Sequence, residues 1–162
     1  MDGVVQASLT EELGLSFRPA FLRDPQFLLA LLVAPPLLLL AAPLLPAAGN
    51  PEAGMWNVLS MVLLQPLVEE LLFRGVIQGQ LERKAWAQLR IAGISTANCI
   101  TTLLFALAHL IHHAPFWAAG VIVPSLLFGH FRDRHRQVYP AFLLHAFYNG
   151  CFLLAGIMSA PH

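Results

Sequence analysis

The chain has 162 residues, of which 57% are hydrophobic and only 11% charged, and its formal net charge is zero. A soluble domain of this size normally carries about a quarter charged residues, so the surplus apolar surface is expected to face lipid. A nucleic-acid binder is excluded, because no segment concentrates Lys and Arg with aromatic neighbours.

Residues 1–26 read as a cytoplasmic or interfacial segment, with a short interfacial helix expected over 9–17, and residues 27–162 as a transmembrane core. The first span covers 27–46, about 20 residues, which matches a hydrocarbon core. Pro35 and Pro36 should kink it. A secretory leader has a shorter apolar core nearer the start, so this span is read as retained. The second span, 56–79, is interrupted by Glu69, Glu70 and Arg74, and a charged amphipathic stretch over 81–90 is expected to lie along the surface. The third span falls within 95–111 and the fourth over 116–131. A basic loop, 132–137, then leads to a fifth over 138–158. Cys99 and Cys151 sit inside apolar runs and read as small packing residues.

Five crossings with the N-terminus inside place Arg18, Arg23, Arg83, Lys84, Arg90, Arg132, Arg134 and Arg136 on the inner side, with Arg74 in the membrane. The outer loops, 47–55 and 112–115, hold no Lys or Arg. That asymmetry predicts a multi-pass protein with a cytoplasmic N-terminus and an outer C-terminus, and the composition suggests a bacterial cytoplasmic membrane.

Charged groups at membrane depth persist only when paired, turned into the bundle or lining a wet cavity. Glu70 and Arg74, one turn apart, can pair on one face. Glu69 points about 100° away and is expected to find, beyond Gln65, no partner in its own helix. At the same four-residue spacing, Phe105 shares a face with His109, and His145 with Asn149. Glu69 and His145 come out roughly 10 to 15 Å from the inner side, and His109 deeper unless its helix enters near Asn98.

These residues, in order and on successive spans, resemble the Glu-Glu-x-x-x-Arg, Phe-x-x-x-His and His-x-x-x-Asn motifs of the CAAX-protease and bacteriocin-processing family of glutamate-type intramembrane proteases. The match runs from Gln65 to Asn149 in a chain shorter than usual for the family. The resemblance implies an all-α membrane bundle and an intramembrane endopeptidase that uses no cofactor and no metal. Glu69 would be the general base, assisted by His109, with His145 and Asn149 donating to the developing oxyanion. Glu70 and Arg74 would be scaffolding, and Phe105 would pack below His109. The implied partners are the lipid bilayer and a peptide or protein with a membrane-associated tail. The tail could be a prenylated C-terminus, a bacteriocin leader or a C-terminal sorting signal, and the small core favours the latter two.

Other intramembrane protease patterns, His-Glu-x-x-His, Gly-x-Gly-Asp and Gly-x-Ser-x-Gly, do not occur. One rival is a zinc metalloprotease with Glu69, His109 and His145 as ligands. Others are a proton-coupled carrier, which should show an internal repeat, and a non-catalytic bacteriocin immunity protein. His109 and His145 taken singly could be core histidines bridging helices. His112 and His113 fall at the outer boundary, and His130, His135 and His162 are expected at the surface. Gly75 and Gly79 read either as a close-approach pair or as ordinary membrane-helix glycines.

Overall fold

The computed structural model describes residues 8–41 and 54–158. Part of the first expected span, 42–46, much of the first outer loop and His162 lie outside them. The described residues are mostly helical: α1 Leu9–Glu12, α2 Pro25–Ala41, α3 Met55–Leu59, α4 Gln65–Glu70, α5 Gly79–Glu82, α6 Thr96–His109, α7 Pro115–Gly120, α8 Ile122–His135 and α9 Tyr139–Met158. Strands β1 Arg90–Ile91 and β2 Ile94–Ser95 pair antiparallel between α5 and α6, in register Arg90 with Ser95 and Ile91 with Ile94. Among the described residues one helix is long and apolar enough to cross a membrane, Tyr139–Ile157, and Pro25–Leu40 and Thr96–His109 are shorter apolar helices.

Two compact units interleave along the chain, the first made of Met1–Arg18 and Glu69–Ala141, the second of Pro19–Val68 and Phe142–His162. In the first unit α6 packs on α8 and on the stretch Leu71–Gln78. Phe73, Phe105, Phe128 and Phe131 are buried there beside Arg74, Gln78, Asn98, Thr102 and Ser125. Ser95 starts α6 by accepting the Asn98 amide at 3.0 Å, as an N-cap does. The Ser8–Glu11 capping box likewise starts α1. That helix ends at Glu12, well short of residue 17, because Gly14 turns the chain with a φ of 68°. Residues 13–18 are then held in extended contact with the start of α9. Val138 donates to the Gly14 carbonyl at 3.0 Å, Tyr139 to the Leu15 carbonyl at 3.0 Å, and Gln137 clamps both backbone groups of Arg18 at 2.9 and 2.8 Å.

The glycine pair serves this docking. A Cβ on Gly79 would lie 2.9 Å from the Glu12 carbonyl oxygen, and one on Gly75 3.2 Å from that of Leu13. The close-approach reading therefore holds, with the N-terminal segment as the neighbour.

In the second unit Asp24 caps α2 through the Gln26 amide at 2.9 Å, and Phe21 meets Phe27 edge to face at 5.1 Å. Tyr148 on α9 donates to the Ala30 carbonyl at 3.1 Å, inside α2. Pro35 and Pro36 lie within α2. Many of its leucines are exposed, among them Leu32 and Leu40.

Two expectations change. The basic loop starting at Arg132 is helical as far as His135, and Arg132 and Asp133 are buried rather than solvated. Their charges are satisfied locally: Arg132 lies 3.3 Å from Glu82, Arg90 lies 3.4 Å from Asp133, and Gln78 donates to Asp133 at 2.7 Å. The stretch over 81–90 is likewise only partly a surface element, since Glu82 closes α5 as a buried residue. His130 and His135 are half-buried against Phe131, with ring centroids 5.3 and 6.2 Å apart.

Candidate active site

The pair Glu69-Glu70 ends α4, and the backbone then changes to π-helical hydrogen bonding over Leu71–Gln78. In that geometry the repeat is five residues rather than four, and such segments often mark functional sites. Arg74 pairs with Glu70 across this change of geometry. Its Nε lies 3.3 Å from Glu70 Oε2, with both side chains inaccessible to solvent, and it is also attracted by Glu69, five residues before it. Glu69 is half-buried at the end of α4, next to Glu70.

The guanidinium is held from the opposite side by α8, where its Nη2 donates to the Ser125 carbonyl at 3.0 Å and to Ser125 Oγ at 2.8 Å. Its faces meet aromatic rings, 5.1 Å from Phe105 and 6.0 Å from Phe128. Negative ring faces suit a buried cation whose remaining N–H groups lack carbonyl acceptors.

Phe105 links this cation to the histidine. Its ring is edge-on to Phe73 at 5.0 Å and lies 4.5 Å from the His109 ring. Nδ1 of His109 sits 2.9 Å from the Phe105 carbonyl oxygen. A carbonyl can only accept, so Nδ1 carries the proton; of the two neutral tautomers this selects the one with its lone pair on Nε2. His109 is half-buried at the end of α6 and stacks on His113 at 5.8 Å. Thus Glu69, Glu70, Arg74, Phe105 and His109 all belong to the first unit, and contacts tie Glu70 through Arg74 and Phe105 to His109.

His145 and Asn149 belong to the second unit, one turn apart on α9. His145 is buried. Asn149 spends one amide N–H on the Met61 carbonyl, at 2.9 Å, which fixes the carboxamide and leaves it a second N–H. Among the described residues no three His, Cys, Asp or Glu side chains cluster closely enough to hold a metal ion.

Sequence reasoning overlooked Ser125, which Arg74 contacts directly, Thr102 and Asn98, which follow it in series, and Gln78, one turn beyond Arg74, all of them buried. The available signal was their polarity within apolar runs.

A family profile described as type II CAAX prenyl endopeptidase, Rce1-like, matches residues 51–151, more than half of the chain and the range within which the three motifs lie. No curated protein and no solved structure matches significantly.

Proposed function

Because the chain belongs to the Rce1-like family of type II CAAX prenyl endopeptidases, a family of proteases and membrane proteins, we propose that it is a multi-pass intramembrane endopeptidase acting through Glu69 and His109. The observation that carries this reading is the His109–Phe105 hydrogen bond, which turns Nε2, and not Nδ1, outward as the ring nitrogen available to a water molecule. The large exposed apolar side chains of α2 and of the run through Leu63, Leu64, Leu67 and Val68 suit a lipid surround.

In the proposed reaction a water O–H proton passes to the Glu69 carboxylate, steered by His109 Nε2, while the water oxygen bonds to the scissile carbonyl carbon. Donation to the resulting oxyanion is the role that the family resemblance gives His145 and Asn149. The tetrahedral intermediate collapses by breaking the C–N bond, and the proton held by Glu69 goes to the leaving amine. Arg74 stays paired throughout, holding the acidic turn in place. A prenylated C-terminal peptide is the first substrate to try, with bacteriocin leaders and sorting signals as the other tails of like chemistry.

The test is cleavage of a farnesylated Cys-aliphatic-aliphatic-X peptide by protein in liposomes, wild type beside Glu69→Gln, with and without a strong chelator. Cleavage that is abolished by Glu69→Gln and survives chelation supports the reading. Cleavage lost on chelation and restored by zinc would replace it with a metalloprotease using the same residues, and activity retained by Glu69→Gln would end the glutamate mechanism.

A further inference from the structure

We propose that Ser125 and Thr102 are positioning residues of the hydrolytic site, acting through Arg74 by a one-way chain of hydrogen bonds. The proposal rests on the function proposed above. Arg74 donates to Ser125 Oγ at 2.8 Å, Ser125 donates to Thr102 Oγ1 at 3.0 Å, and Thr102 donates to Asn98 Oδ1 at 3.2 Å. Both ends dictate the direction. A guanidinium has no acceptor, so the Ser125 hydroxyl proton must point onward. Asn98 Nδ2 is committed to the Leu126 carbonyl at 2.8 Å, so its Oδ1 is the face turned to Thr102.

Every member is buried, on three elements of one unit: the π-helical stretch, α6 and α8. The end of the chain depends on Gly129, where an added Cβ would overlap the Asn98 carboxamide. Gln78 reinforces the same seam one turn further on, donating to the Gly129 carbonyl at 2.9 Å. A packed apolar seam would hold α6 against α8 equally well. What the hydroxyls add is a fixed azimuth for the guanidinium, and with it Glu70, its 3.3 Å partner and the chain neighbour of Glu69. In a site where small displacements of reacting groups cost large factors in rate, that fixation reaches the chemistry without touching substrate.

The experiment compares Thr102→Val, which keeps the branched shape and loses the hydroxyl, with Thr102→Ser, which keeps the hydroxyl and loses a methyl. On the farnesylated peptide, Thr102→Val should lower kcat about tenfold at nearly unchanged KM, and Thr102→Ser should restore most of it. In parallel, arginine-selective 15N NMR of the protein in nanodiscs should show the slowly exchanging Arg74 side-chain resonances in wild type and Thr102→Ser, and lose them in Thr102→Val. Equal behaviour of the two variants in the spectra, or a loss confined to KM, overturns the proposal. If the wild type leaves the peptide intact while the spectra separate the variants as expected, the substrate reading fails and the hydrogen-bonded chain stands.

Discussion

The backbone carbonyl of Phe105 accepts the Nδ1 proton of His109 across 2.9 Å, one turn apart on α6. The bond belongs to the main chain of residue 105, so the phenyl ring and the tautomer can be tested separately.

Replacing His109 by Gln should lower kcat for peptide cleavage by about 10²–10⁴, the usual contribution of a positioned acid or base. Phe105→Leu keeps the carbonyl and removes the ring contacts with His109 and Arg74, so it should cost thermal stability and much less rate. Equal loss of kcat in the two variants, measured in the same liposomes, would falsify the division.

Glu70→Met leaves the Arg74 guanidinium buried without its 3.3 Å partner. Breaking such a pair from one side costs about 3–5 kcal/mol, whereas removing both charges is often far better tolerated. Detergent-solubilised Glu70→Met should therefore melt well below wild type, and Glu70→Met combined with Arg74→Met should recover part of the loss. A single variant as stable as wild type would contradict the assignment of Arg74 as a structural cation.

Outside the spans, Glu82 gives the protein a pH dependence of defined sign. Burial pushes its carboxyl up to about 7; Arg132 opposes this, a hydrogen bond with Asp133 adds to it, and Arg136 opposes it. The raised value means the folded protein holds this proton more tightly than the unfolded chain. The stabilisation is complete below the unfolded value of 4.5 and is lost as pH rises through 7. The melting temperature of wild type should fall between pH 5 and pH 8, and Glu82→Gln should flatten that slope. A slope unchanged by Glu82→Gln would assign it to other groups.

Gly79→Ala drives a methyl to within 2.9 Å of the Glu12 backbone carbonyl. Backbone yields less readily than a side-chain tip, so the cost should be about 1–3 kcal/mol, taken largely by release of the N-terminal segment. Limited proteolysis should then cut residues 8–18 faster than in wild type. Unchanged protection would mean that the segment can shift without undocking.

The helices at 96–109 and 139–158 were legible because long apolar runs bounded by Ser95 at one end and polar residues at the other leave little freedom. The motif pairs Glu70–Arg74, Phe105–His109 and His145–Asn149 were legible for a related reason: four-residue spacing translates directly into a shared helix face. The π-helical stretch was not, since nothing in Leu-Leu-Phe-Arg-Gly-Val-Ile-Gln distinguishes it from an α-helix. Nor could Arg132 be told from its neighbours Arg134 and Arg136 in the basic run. Only packing decides that it is buried against Glu82 while Arg136 remains largely exposed. Ser125 and Thr102 are ordinary small polar residues until their hydroxyls are seen in series.

The clamp of Gln137 on Arg18 joins positions 119 residues apart. At translation rates of about 5–20 residues per second, roughly 6 to 24 s elapse between their syntheses. During that interval the Arg18 backbone lacks this partner. Ribosome-arrested chains ending before residue 137 should accordingly be cut within residues 14–18 by an added protease, and chains long enough to expose residue 137 outside the ribosome should be protected there.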